Sequence, residues 1–345
     1  MLYYLVTREH AYTIQLHLDT WGRGLRCAVV PIFYDQLAYY RRLPVGTYFF
    51  SDLERLGDAQ MELARVVWNA LAQSGRPLRQ LNDPAKVLRR EALLATLHRN
   101  GVNPFAVHRA DQALGRVHYP AFVRRPDEHD GNLTPLLQND GELAGALAKL
   151  RNERGFSPER LLVVEFCDTG DASGVYRKYA AFVVGDRIIP RHLFLSRNWM
   201  IKNADLVDAE SAAEESAYLA KNPHEEQLRV IFALAGVNFG RIDYGVRDGK
   251  LVVWEINTNP MMGVDPAKLA PVRLAGQSTF FKKFNDAMVA LDVARGAPDV
   301  AMAVPASLRR ALGVTGRTRA LRNMGRILGR LGQMPPWRAA IEAAS

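Results

Sequence analysis

Residues 1–7 form a short run of aromatic and β-branched side chains, followed by a helical stretch and a second apolar run over 26–32. A third run covers 48–51, and a 3.6-residue apolar period then extends over 56–74 and stops at Gly75. Strand, helix and strand in alternation predict a small parallel sheet of about 80 residues. Asn82-Asp83-Pro84 breaks the pattern, and a helical period follows over 85–99, ending at Asn100-Gly101. Beyond it the pattern predicts a strand over 121–125, a polar loop over 127–134, a helix over 140–151 and an apolar strand over 161–166. Runs at 178–184 and 187–195 flank Gly185-Asp186, which reads as a hairpin. Helical stretches at 209–218 and 225–235 lead to a second hairpin, with strands over 242–246 and 251–256 around Arg247-Asp248-Gly249-Lys250. No repeat with a period of 20–50 residues interrupts this order.

Composition narrows the class. With 345 residues, 48% hydrophobic and 23% charged, the chain has globular proportions and is long enough for two or three packed lobes. Cys27 and Cys167 are the only cysteines, too few for a disulfide framework or a paired-cysteine zinc site. No apolar run approaches the ~20 residues of a spanning helix, and the opening MLYYLVTREH lacks a basic start and a small-residue cleavage site, so a cytoplasmic protein is expected. The net charge of +9 is unevenly placed. Residues 307–345 hold eight arginines against Glu342, a net +7, which leaves +2 for everything before them. Leu321, Met324, Leu328 and Leu331 give that segment a helical apolar spacing among arginines. It reads either as a contact for an acidic partner, RNA or an anionic membrane surface, or as a solvated terminal helix in an arginine-rich chain.

Candidate chemistry concentrates in residues 239–260, FGRIDYGVRDGKLVVWEINTNP. Glu255 and Asn257 are two apart on one predicted strand and therefore share a face, and the hairpin can bring Asp243 alongside. Two carboxylates and an amide oxygen make a hard-oxygen set suited to Mg²⁺ or Mn²⁺. An unpaired carboxylate between Val252-Val253-Trp254 and Ile256 would be costly.

This stretch, GRID, a hairpin, then EINTNP, resembles the metal-binding end of the ATP-grasp superfamily, especially its D-alanine–D-alanine ligase and glutamate-ligase branches. The resemblance covers roughly residues 1–265. It implies an α/β (α+β) architecture: an N-terminal parallel β/α lobe over 1–82, a small central lobe over 83–160, an antiparallel-sheet lobe with the metal site over 161–295, and a basic helical tail over 296–345. It further implies ATP held between two sheets, with Asp243, Glu255 and Asn257 on the metal and Arg241 as the arginine that stabilises acyl transfer. Leu162–Asp168 is similar to the adenine hinge, with Glu165, Phe166 and Cys167 presenting backbone groups and Asp168 reaching the ribose. The two usual phosphate lysines are arginines here: Arg125 in YPAFVRRP and Arg90 on the preceding helix, with Lys86 as the substitute for the latter. Lys202 falls where related ligases contact the γ-phosphate or a substrate carboxylate. Arg177, Lys178 and residues 192–202 fall where such enzymes cover the acyl phosphate. Residues 127–134 match the phosphate loop, with His129 read as a loop histidine in preference to a base.

The expected function is an ATP- and Mg²⁺-dependent carboxylate–amine (or thiol) ligase working through an acyl phosphate on small-molecule carboxylate and amine substrates or a peptide. A phosphotransferase, and a catalytically weak nucleotide-binding protein with a basic interaction tail, are the alternatives. Homo-oligomerisation is left open. GxxxxGK[ST], GxSxG, HExxH and a complete GxGxxG are all absent from the sequence.

Overall fold

A computed structural model describes residues 1–127, 131–293 and 296–314. The first lobe runs β1 (Leu2–Val6), α1 (Tyr12–Asp19), β2 (Val29–Phe33), α2 (Tyr34–Leu37), β3 (Arg42–Leu43), β4 (Thr47–Phe50), α3 (Asp58–Ala72) and β5 (Arg79–Leu81). Strands β2, β1, β4 and β5 form a parallel sheet in that order, as the alternation predicts. All five residues of β1 are buried, because a parallel sheet is covered on both faces. Leu2, Tyr4 and Val6 face one core, while Tyr3 and Leu5 face the core closed by α3.

The second lobe follows with α4 (Arg90–Arg99), β6 (Val107–Arg109), β7 (Ala121–Arg124), α5 (Asp140–Arg154) and β8 (Leu162–Glu165). Its antiparallel sheet has the order β6-β8-β7. Helix α5 starts where the Asn139 side chain accepts from the Glu142 N–H at 3.0 Å, and it ends at Gly155 in a left-handed conformation. Helix α4 begins five residues later than the apolar period suggests. The Leu88 N–H donates instead to the Ala235 carbonyl at 2.9 Å, tying that stretch to the third lobe.

The third lobe contains β9 (Tyr176–Val184), β10 (Arg187–Ser196), α6 (Ala209–Lys221), α7 (Glu225–Ala235), β11 (Phe239–Arg247), β12 (Lys250–Asn257) and α8 (Leu274–Ala290). The strand order is β10-β9-β11-β12, antiparallel throughout. Both expected hairpins are present, and Asp248 (φ 51°) with Gly249 (φ 72°) gives the second the paired positive φ of a tight turn. Helix α8 has no counterpart among the predicted elements. Its Phe280, Phe281 and Phe284 join Phe182 and Phe239 in one core with the first lobe's sheet.

The boundary expected at 296 needs correction. Residues Val300–Ala301 form β13, which pairs antiparallel with β3, and Ala306–Ala311 form α9. Val300, Met302, Val304 and Leu308 are buried in the core that α3 closes. The first part of the presumed tail is therefore part of the N-terminal lobe, held there by apolar burial that its arginine content obscures. The apolar spacing at 321–331 lies outside the described residues. Among the described residues, no helix is long and apolar enough to cross a membrane.

Candidate active site

Strands β11 and β12 carry the centre of the site. Arg241 pairs with Asn257 and Asp243 with Glu255, so these four residues stand on one face of the sheet. The register then slips: Tyr244 pairs with Val253, leaving Trp254 as the extra residue of a β-bulge. Strict alternation would send Trp254 to the face opposite Glu255. The bulge allows both to line the same cavity. Gly245 makes room for the indole, since a Cβ there would come within 2.9 Å of Trp254 Cζ2.

The cavity measures about 380 Å³, within the range of small-molecule sites. Its other wall comes from the central lobe, through Phe122 and Arg124 of β7 and Val164 and Glu165 of β8. Two antiparallel sheets from successive lobes thus face one space. Arg125 is not part of that wall. Alternation along β7 turns Arg124 inward, and Arg125 lies over the Phe156 ring at 5.5 Å. Of the two adjacent arginines, Arg124 is the one that lines the cavity.

Arg90 is also absent from the cavity lining. It is buried behind Glu255, with Nη2 2.5 Å from Glu255 Oε2, and Nη1 donates to the Arg125 and Pro126 carbonyls at 3.1 and 3.0 Å. Arg124 Nη2 reaches the same Glu255 oxygen at 3.4 Å. Burial, followed by the neighbouring Arg90, pushes the Arg124 guanidinium pKa down to about 10. Lys86, the substitute, is exposed and pairs with Asp83 at 3.6 Å.

Asp243 is held by Arg241, whose Nε lies 2.7 Å away, and Lys178 Nζ is at 3.7 Å. Burial works against the Arg241 charge, but the adjacent Asp243 more than offsets it and raises the guanidinium pKa. Lys202 lines the cavity above Gly131, where a Cβ would come within 3.0 Å of the lysine Cε. The structure therefore joins Lys202 to the loop after β7. His129 lies outside the described residues, and Arg177 is engaged with Asp171 and Glu214.

The hinge residues divide. Glu165, Phe166 and Cys167 line the cavity, while Asp168 is exposed and does not. The Asp168 carboxylate instead accepts from the Gly170 N–H at 2.9 Å in a local turn. The backbone N–H groups of Glu165 and Phe166 already donate to the Ala106 and Pro120 carbonyls. The Glu165 carboxylate accepts from the Ala106 and His118 N–H groups at 2.8 and 2.9 Å. Burial would raise its pKa, but these bonds and the imidazoles of His118 and His108 hold it below the usual range. The Glu165 side chain thus ties β8 to the backbone at Ala106 and His118.

Sequence reasoning missed the aromatic wall. Trp199 packs against Phe122 and Phe166 with ring centroids at 5.3 and 5.2 Å, and Trp254 lines the same cavity. The apolar Trp199-Met200-Ile201 inside an otherwise polar segment was the available signal. The N-terminal contribution was also missed: Tyr12, Thr13 and Arg55 close one end of the cavity. Asn259 ties that end to Asn257 at the end of β12. Its Oδ1 accepts from the Tyr4 and Thr13 hydroxyls at 2.9 and 2.6 Å, and its N–H donates to Asn257 Oδ1 at 2.8 Å. Among the lining residues, the cations Arg55, Arg124, Lys178, Lys202 and Arg241 outnumber Glu165, Asp243 and Glu255 by five to three.

No family model matches the sequence, and no curated protein does. Similarities to solved structures are found at low identity. D-alanine–D-alanine ligase from Bacillus anthracis, in complex with ATP, is similar at 14% identity over 84% of this chain and 96% of that one, with a TM-score of 0.49. A RimK domain ATP-grasp protein from Sphaerobacter thermophilus is similar at 15% identity over 85% of this chain and 99% of that one, with a TM-score of 0.48. N5-carboxyaminoimidazole ribonucleotide synthetase from Thermotoga maritima is similar at 12% identity over 85% and 77% respectively, with a TM-score of 0.47. The expected α/β architecture, a parallel-sheet lobe followed by two antiparallel-sheet lobes around one cavity, is present.

Proposed function

We propose that the chain is an ATP- and Mg²⁺-dependent carboxylate–amine (or thiol) ligase. The observation that carries this reading is the four-residue face Arg241, Asp243, Glu255 and Asn257 on β11 and β12, opening into a cavity with surplus positive charge. Asp243, Glu255 and the Asn257 amide oxygen are the donors that would hold the cation, Mg²⁺ or Mn²⁺. They fit it by chemistry, since all are hard oxygens on one face, and the hydrogen bond from the Asn259 N–H orients the Asn257 oxygen. When bound, the cation neutralises phosphate charge.

The chain's own residues supply the rest. Phe122, Phe166, Trp199 and Trp254 offer an apolar aromatic lining for adenine. Arg124, Lys178 and Lys202 face the triphosphate, with Arg124 in the place first expected of Arg125. Arg90 orients Glu255 from behind. In the reaction a substrate carboxylate oxygen attacks the γ-phosphorus, the bond to the β–γ bridging oxygen breaks, and ADP leaves. The amine or thiol then attacks the acyl carbon and phosphate leaves, with Arg241 stabilising the oxyanion that develops between the two events. No side chain needs to become covalently linked.

The test is ADP release across a panel of carboxylates and amines, with and without Mg²⁺, and mass spectrometry of the product. ADP, phosphate and an amide or thioester in equal amounts are expected. A stable phosphorylated alcohol would assign a phosphotransferase instead, and nucleotide binding without ADP release would leave a binding protein.

A further inference from the structure

The end of the cavity built by the N-terminal lobe has its own chemistry. Tyr12 and Thr13 follow β1, and Arg55 follows β4, so all three lie beyond the carboxyl ends of parallel strands, where sheets of this kind bind ligands. Arg55 is firmly placed. The preceding Asp52 is fully buried and left-handed (φ 59°), a backbone state that a non-glycine residue keeps only where its surroundings impose it. Its carboxylate accepts from the Thr7 N–H at 3.2 Å and from the Thr7 hydroxyl, and it pairs with Arg55 Nη1. Glu54 approaches the same nitrogen at 3.6 Å. Both acids thus engage one arm of the guanidinium, and Nε and Nη2 are the donors it has for a ligand.

The flanking surface is apolar. Tyr12 is 53% exposed and Met261 is 41% exposed, and both line the same cavity as Arg55. A planar fork matches a carboxylate in two parallel hydrogen bonds, and an aromatic and thioether wall matches a carbon skeleton. We propose that Arg55 selects a spectator carboxylate, one carried by a substrate and not consumed in the reaction, with Tyr12 and Met261 against the adjoining carbon atoms. This inference rests on the ligase reading and extends it, because there Arg241 serves the carboxyl group that reacts. The substrates together then carry at least two carboxylates, as when the amine acceptor is itself an amino acid or a peptide with a free carboxyl end.

The probes are the twenty common amino acids, a set of dipeptides and the carboxamide of each. Binding is read as a shift in melting temperature with the non-hydrolysable analogue AMP-PNP and Mg²⁺ present, and again with neither. At least one acid should bind about tenfold more tightly than its amide. Arg55→Ala should bring acid and amide to within about twofold, and Arg55→Gln, which keeps length and a donor but not charge, should do the same. The melting temperature of each variant without ligand shows that it is folded. Equal binding of every acid and its amide by the wild-type protein, or an acid preference that survives both substitutions, overturns the proposal. Failure of AMP-PNP to stabilise the wild-type protein counts against the nucleotide reading alone, and the nucleotide-free series still decides the role of Arg55.

Discussion

Glu255→Gln removes an acid that two buried guanidiniums share. The Arg90 side chain is 5% exposed with Glu255 at 2.5 Å, and that of Arg124 is 12% exposed at 3.4 Å. Removing one partner of a buried ion pair costs about 3–5 kcal/mol, mainly because the remaining charge is left in a poorly solvated place. Here two features pull the figure to the low end. Arg90 keeps the carbonyls of Arg125 and Pro126, and glutamine retains an amide oxygen in place of the carboxylate. A loss of about 3 kcal/mol follows, and it should appear as a lower urea midpoint with little change in slope. ADP release should fall by orders of magnitude, because the proposed cation site loses a donor as well. Added AMP-PNP should recover part of the stability, since its phosphates offer Arg124 a new counter-charge. A stability change below about 1 kcal/mol together with undiminished ADP release would refute both the ion-pair argument and the site assignment.

Two more predictions use neighbouring residues. Arg124→Ala should weaken AMP-PNP binding about ten- to a hundredfold, the worth of a charge-assisted hydrogen bond, whereas Arg125→Ala should change it less than about twofold. Isothermal titration of the two variants settles which arginine faces the nucleotide, and the reverse ranking would undo the inward assignment of Arg124. His17 is buried against Phe281 and Phe284, with Nε2 2.9 Å from Asn285 Oδ1, and burial pushes its pKa down to about 4. An unfolded histidine titrates near 6.5, so between these values the unfolded chain binds a proton that the folded chain refuses. Stability is therefore full above pH 6.5 and falls by about 1.4 kcal/mol per unit toward pH 4 from this group alone. His17→Phe should flatten the urea-unfolding profile by that one proton while His192, whose pKa burial also lowers, still contributes; superimposable profiles would exclude it.

Most strands, and the shared face of Glu255 and Asn257 on β12, were legible because they depend on local pattern. Strand β1 is an uninterrupted apolar run, and the Asp248-Gly249 turn supplies the positive φ that its hairpin needs. Helix α8 was not legible. Its phenylalanines are spaced for a core shared between lobes, and nothing local marks residues 274–290 as packing against a sheet formed some 270 positions earlier. Strand β13 escaped for the same reason: two residues have no period, and only their pairing with β3 defines them.

At the site, the sequence by itself determined the residue types and their order: GRID, the hairpin, EINTNP, and arginines where lysines were expected. Two-residue spacing on a strand was enough to put Glu255 and Asn257 on one face, because side-chain alternation is a property of the backbone. Tertiary structure decided which arginine turns inward. Arg124 rather than Arg125 faces the cavity because of the phase of β7, and Arg90 serves Glu255 because α4 packs behind β12. It also decided that Trp254 shares a face with Glu255, since a bulge is a mismatch between two strands and neither strand alone contains it. Arg55 entered the cavity only because two lobes meet there, with Asp52 holding the guanidinium and Asn259 fastening the loop after β12 to the first lobe. Local spacing fixes which side chains can act together within an element; contact between elements remote in the chain fixes which of them do.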